Sequence, residues 1–95
     1  MAERYRYLPL TLLRRKSDGK KFLVQYDYTY VYGAFNAGCN FGDLSLYELD
    51  SKGEKIINCT AWHSVDDFEF LGPPRVEYIK KVTIYNIKIY GKNVK

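Results

Sequence analysis

The sequence predicts an all-β domain, with room for one short helix, built as a small antiparallel barrel or a compact sandwich of five to six strands. Residues 22–32, FLVQYDYTYVY, alternate with a period of two, and two Gly-containing turns mark two hairpins. Residues 76–90 are rich in β-branched and aromatic side chains, which favours a long C-terminal strand. The 95 residues make a single domain, residues 1–95, and an OB-like or SH3-like barrel fits the strand count.

The first predicted strand covers residues 4–16. Pro9 has no amide proton to donate to a neighbouring strand, so we expect this strand to be an edge over part of its length. The turn at residues 17–20 contains Asp18-Gly19 between two apolar alternating runs, a strong hairpin signal. The first strand therefore pairs antiparallel with residues 22–32.

The second predicted strand has one face that is almost wholly aromatic. Its members alternate along residues 22–32: Phe22, Val24, Tyr26, Tyr28, Tyr30 and Tyr32. Because Phe22 and Val24 share this face, we expect it to be buried at least at its first end.

The remaining elements follow from turn residues and alternation. Residues 33–42 have the composition of a loop, and Asp50-Ser51-Lys52-Gly53 predicts a second hairpin, in which Leu44 and Leu46 oppose Tyr47 and Leu49. A short strand is expected at residues 67–71, ended by Gly72-Pro73-Pro74. The last segment is interpreted as a strand that bends or is covered on both sides, with a helix over residues 75–82 as the alternative.

Charge is segregated along the chain. Residues 1–21 and 75–95 each carry a net charge of +5, whereas residues 22–50 carry −4 and residues 64–74 carry −3. The whole chain is +4. If the first and last segments lie side by side, the molecule has one positive and one negative side.

The sequence suggests a cytoplasmic protein. The N-terminus is charged and lacks the apolar stretch of a secretory signal, and no uncharged run is suited to crossing a membrane. The two cysteines, Cys39 and Cys59, are expected to be free thiols.

The sequence contains no recognisable catalytic or zinc-binding motif. Cys39, Cys59 and His63, with Asp43 or Asp66, could supply four zinc ligands, but their spacing fits no common zinc motif. A Cys39–His63 dyad or a carboxylate pair drawn from Asp66, Asp67 and Glu69 could be imagined as catalytic, yet nothing in the sequence brings either set together. We therefore predict no enzyme activity, no metal and no cofactor.

The favoured hypothesis is a small non-enzymatic module that binds another protein as an inhibitor or accessory factor. It depends on the surplus of tyrosine, the segregated charge and the lack of a catalytic motif. The predicted contact residues are Tyr28, Tyr30, Tyr32, Phe35, Trp62, Asp66, Asp67 and Glu69. Such a protein would suit a viral or phage factor that blocks a host protein.

Single-stranded nucleic acid is the alternative partner. Five cations bracket the first turn, where they could neutralise phosphates beside exposed tyrosines: Arg14, Arg15, Lys16, Lys20 and Lys21. A homodimer formed through an exposed strand edge at residues 4–9 is a further possibility.

Overall fold

Two hairpins and one returning strand form the sheet in the computed structural model, which describes residues 7–27 and 44–91. The strands are β1 (Leu12–Arg15), β2 (Lys21–Asp27), β3 (Leu44–Leu49), β4 (Ile56–His63) and β5 (Phe68–Gly72). A single 3₁₀ turn, Val65–Asp67, lies between β4 and β5, and a helix, α1 (Val76–Tyr90), follows the sheet. The predicted mostly β fold with two hairpins is confirmed.

All strand pairs are antiparallel, and the order across the sheet is β4-β3-β2-β1-β5. The first four strands follow one another as neighbours, and β5 then returns to pair with β1. This return gives Leu12–Arg15 a partner on both sides. The predicted edge over part of the first strand can therefore lie only before Leu12, where β5 has no paired residue. Within the described residues, β4 and β5 are the edges and do not pair with each other, so the sheet is not closed into a barrel.

Both predicted hairpin turns are confirmed. Gly19 and Gly53 adopt φ angles of 77° and 73°, in the left-handed region where glycine meets no steric penalty. The Asp18 carboxylate accepts a hydrogen bond from the amide of Lys20 at 3.1 Å, and the Asp50 carboxylate accepts one from the amide of Glu54 at 2.8 Å. Aspartate and glycine therefore stabilise each turn together.

Replacing Gly53 by alanine should lower the free energy of unfolding by about 1–2 kcal/mol, the cost of a left-handed L-residue. An added Cβ would meet only the Lys21 side chain, at 3.9 Å, so the backbone conformation accounts for the loss. Gly72→Ala is the matched control, because its Cβ meets nothing within 4 Å and its φ is not left-handed. Urea unfolding of the two variants should differ, and equal stabilities would contradict this explanation.

The sheet buries side chains on both of its faces. The crossover face, beneath the turn that links β4 to β5, packs Leu13, Phe22, Val24, Leu44, Leu46, Val65 and Phe68. The opposite helix face packs Leu23, Tyr47, Leu49, Ile56 and Tyr78, with Leu10, Leu12, Val82 and Tyr85 around them. The predicted opposition of Leu44 and Leu46 to Tyr47 and Leu49 is confirmed, because the two pairs belong to different faces.

The burial of Phe22 and Val24 is confirmed, but the aromatic alternation is not kept along the whole strand. The pairing of β2 with β3 shifts register between Val24 and Tyr26, and Tyr26 is 41% exposed, whereas Phe22 and Val24 are buried. Residues 28–32 of the predicted strand lie outside the described residues.

The prediction of a long C-terminal strand was wrong, because residues 76–90 form α1. The residues that contact the sheet, Tyr78, Val82 and Tyr85, recur at i, i+4 and i+7, which puts them on one side of a helix. Gly91 ends the helix at a φ of 75°, and its amide donates a hydrogen bond to the carbonyl of Ile87. Packing on the helix face thus outweighs the β-propensity of the segment.

Candidate functional site

Half of the predicted protein-binding residues lie in the part of the chain that the structure describes. Tyr28, Tyr30, Tyr32 and Phe35 fall outside it, as does Cys39. Trp62 is at the end of β4, at one edge of the sheet, and Glu69 is on β5, at the other edge. Asp66 and Asp67 are exposed in the turn that connects these two strands.

Trp62 combines exposure with a strained backbone. Its side chain is 61% exposed and its φ is 66°, a left-handed conformation that is uncommon for a bulky residue. It lies in an irregular stretch of the β3–β4 pairing, where the register shifts between Leu44 and Leu46. The sequence identifies Trp62 as a predicted contact residue, but it gives no sign of this backbone strain.

Three of the five cations at the predicted hairpin tip are paired with carboxylates. Arg14 forms an ion pair with Glu69, and Lys20 forms one with Glu48 at 3.1 Å. Arg15 donates two hydrogen bonds to Asp18, from Nε at 3.1 Å and from a terminal nitrogen at 2.9 Å. These bonds lower the pKa of Asp18 to about 2.

The other two cations of the tip, Lys16 and Lys21, have no side-chain partner among the described residues. Lys16 nevertheless lines a surface depression together with Asp66 and Asp67, and its amide donates to the Asp67 carbonyl at 2.9 Å. The tip thus sets the five predicted cations beside five carboxylates: Asp18, Glu48, Asp66, Asp67 and Glu69. This balance weakens the local positive field on which phosphate binding depends, and nucleic-acid binding stays a prediction.

The candidate zinc ligands Cys59 and His63 do not converge. Cys59 pairs with Tyr47 of the helix face, whereas the His63 ring packs against Phe22 and Phe68 of the crossover face, so the two side chains lie on opposite faces of the sheet. The Cys59 thiol donates to Gln25 Oε1 at 3.3 Å, and burial raises its pKa. No group of three or more potential metal ligands occurs within residues 7–27 and 44–91.

His63 is held by packing and one hydrogen bond. Its Nε2 lies 2.6 Å from Thr60 Oγ1, and its ring lies 5.7 Å from the ring of Phe68 and 6.2 Å from that of Phe22. Burial, helped by the positive charge of Arg15, lowers the pKa of His63, because both disfavour the protonated ring. These contacts give His63 a structural role on the crossover face.

The outer face of α1 carries five of the twelve large apolar side chains that the described residues expose. It comprises Val76, Ile79, Thr83, Ile84, Ile87 and Tyr90. The five large side chains among them are all more than half exposed, and Val76 reaches 84%. The Thr83 hydroxyl donates to the carbonyl of Ile79 at 2.9 Å, so its polar atom is satisfied within the helix. Lys80 is the cation that interrupts this face.

The spacing of the outer face explains its continuity. Positions 76, 79, 83, 87 and 90 are separated by three or four residues, so their side chains form one stripe along the helix. A helix with apolar residues on its sheet-facing side and on its outer side is the kind usually found buried on both sides. This surface was not predicted, because a strand over residues 76–90 would place the same side chains on two opposite faces.

A groove runs beside the helix, between α1 and the turn that joins β3 to β4. Its apolar lining is Ile56, Ile84 and Tyr85, and its volume is about 210 Å³. Three lysines line the same groove: Lys55, Lys81 and Lys88. We call this feature the lysine groove.

The chain matches no protein-family model, no curated protein and no solved structure. Within the described residues, no helix has the length and apolar character needed to span a membrane.

Proposed function

We propose that this chain is a small non-enzymatic module that binds another protein, as an inhibitor or accessory factor, and that the outer face of α1 is its docking surface. The exposure of the five large apolar side chains on this face carries the proposal. Their combined exposed area is on the order of 500 Å², at the upper end of apolar patches on soluble monomers, where patches of this size mark interaction sites.

The apolar area of this surface favours binding but does not suffice by itself for a specific complex. Burying about 500 Å² of apolar area is favourable by roughly 12 kcal/mol, at about 25 cal/mol per Å². Association costs roughly 4–15 kcal/mol in lost freedom of motion, so contacts beyond the stripe are also needed. Trp62, a residue type that often dominates binding energy, is exposed and could supply further area.

The sheet provides a rigid support for this surface. Tyr78, Val82 and Tyr85 fix the inner side of α1 against β3 and β4, and the rings of Tyr85 and Tyr47 pack edge to face at 6.2 Å. A helix that is held in this way presents its outer side chains without further ordering. Such preorganisation lowers the entropic cost of binding.

The double variant Ile79→Glu with Ile87→Glu tests this proposal. It places two charges in the stripe, so a protein that co-purifies with the wild-type chain from its source cells should be retained at least about tenfold less. Circular dichroism and urea unfolding should change little, because both side chains are exposed.

Lys16→Glu is the matched control, because it changes the net charge by the same two units and lies on the hairpin tip. This variant should retain the partner at the wild-type level. A partner that is lost equally from both variants, or retained equally by both, would contradict the assignment of the outer face.

A further inference from the structure

We infer that the lysine groove receives an acidic, amphipathic segment of the protein partner, with one large apolar side chain in the groove and carboxylates beside it. This inference rests on the proposed protein-binding function and names the chemistry of the partner. It is supported by three features of the groove: its apolar lining, its size, and two lysines, Lys55 and Lys88, that have no side-chain partner among the described residues.

The lining of the groove is firm and apolar. Ile56 is buried at the start of β4 and belongs to the core of the helix face. Tyr85 is half-buried and packs against Tyr47, which fixes one wall of the groove. Ile84 is 57% exposed and joins the groove to the outer face of α1. An apolar side chain placed here would contact all three residues.

The lysines of the groove differ from Arg14, Arg15 and Lys20 at the hairpin tip, which form ion pairs. Lys81 Nζ donates to the carbonyl of Glu54 at 2.6 Å, which fixes it at the rim. Lys55 and Lys88 have no side-chain hydrogen bond or ion pair among the described residues. They can bind a partner's carboxylates without breaking an existing ion pair, whereas Arg14, Arg15 and Lys20 cannot.

The charge of the groove indicates an acidic occupant. Three lysines and one carboxylate, that of Glu54, line it. A second copy of this chain that offered its own α1 would bring Lys80, Lys81 and Lys88 against these lysines, and such like-charge contacts oppose association. An acidic segment of a different protein meets the groove with opposite charge.

The size of the groove limits what enters it. Its volume of about 210 Å³ lies below the range of roughly 300–1,000 Å³ that is typical of sites for drug-sized ligands. One aromatic or leucine side chain suits this space. The rest of the segment then lies along the rim, over Ile84 and towards Ile87, in the manner of an amphipathic segment that uses one apolar anchor.

The test is an NMR titration of the full ¹⁵N-labelled chain with a synthetic peptide, acetyl-Glu-Glu-Leu-Phe-Glu-Glu-amide. We expect saturable shifts of the amides of Ile56, Ile84 and Tyr85. The matched peptide acetyl-Lys-Lys-Leu-Phe-Lys-Lys-amide should leave these amides unshifted. Lys88→Glu should weaken binding of the acidic peptide by about tenfold, Lys55→Glu should act in the same direction, and Lys16→Glu should change it less than about twofold.

Three outcomes would overturn the inference: no saturable shift with the acidic peptide, equal binding of the two peptides, or an equal effect of Lys88→Glu and Lys16→Glu.

A further titration uses decanoate. Amide shifts with decanoate but not with the acidic peptide would assign the groove to a small amphiphile instead. If the peptide fails while Ile79→Glu with Ile87→Glu still loses the co-purified partner, only the groove inference fails. If the acidic peptide binds but Ile79→Glu with Ile87→Glu still retains the co-purified partner, the proposed function of the outer face fails.

Discussion

Replacing Phe22 by alanine should lower the free energy of unfolding by about 3–5 kcal/mol, which is the usual cost of removing a buried phenylalanine ring. Phe22 is 1% exposed, its ring meets that of Phe68 edge to face at 5.4 Å, and the Arg15 guanidinium lies 5.0 Å from its centroid. It thereby joins β2 to the returning strand β5. Because small domains are stable by only about 5–15 kcal/mol, the variant should be partly unfolded in mild urea.

Phe70→Ala is the matched control for this prediction. Phe70 lies on β5, as Phe68 does, but is 56% exposed, so the same truncation should cost less than about 1 kcal/mol. Urea unfolding followed by fluorescence compares the two variants directly. Similar losses of stability would show that the crossover face is not the core described above.

Replacing Val82 by proline should lower the free energy of unfolding by about 3 kcal/mol or more and should reduce the helical circular dichroism signal. Val82 is inside α1, where proline removes a backbone hydrogen bond and clashes with the preceding turn. It also packs against the buried cluster of Leu23, Tyr47 and Tyr78, so that contact is weakened as well.

Val76→Pro distinguishes this effect from a general intolerance of proline. Val76 is the first residue of α1 and follows Arg75, whose φ of −132° and ψ of 150° suit a residue before proline. The change should therefore cost less than about 1 kcal/mol. A large and equal loss for both proline variants is the result expected if residues 76–90 were a strand, and it would contradict the helix.

Local signals in the sequence predicted the two hairpin turns correctly, and they assigned Phe22, Val24, Leu44 and Leu46 to the correct face. Asp18-Gly19 and Asp50 with Gly53 specify turns through hydrogen bonds and left-handed glycines that lie close together along the chain. The same holds for Leu44 and Leu46, whose alternation assigns them to one face without knowledge of their neighbours.

Features that depend on distant residues could not be predicted in this way. The pairing of β1 with β5 brings together residues about 55 positions apart, so the sequence could not show that Leu12–Arg15 has a partner on both sides. The helical state of residues 76–90 is favoured by packing on the helix face, which the β-branched composition of the segment conceals.

Contacts between distant residues also determine the charge of the candidate site, and the sequence does not show them. The sequence shows the cations of the hairpin tip as a cluster, but Glu48 and Glu69, which pair with Lys20 and Arg14, come from other strands. The outer face of α1 could not be predicted from residues 76–90 as a strand, because a strand does not bring these side chains to one face. Among the predicted contact residues within the described part of the chain, Trp62 combines an exposed side chain with a left-handed backbone conformation.

Site-specific photo-crosslinking in the source cells shows whether another protein covers the outer face of α1. Benzoylphenylalanine at position 87 should give a covalent adduct with one protein, and benzoylphenylalanine at position 16, on the hairpin tip, should not give that adduct. The Ile79→Glu change should abolish the adduct at position 87. No adduct at position 87, or the same adducts at both positions, would contradict the proposed docking surface.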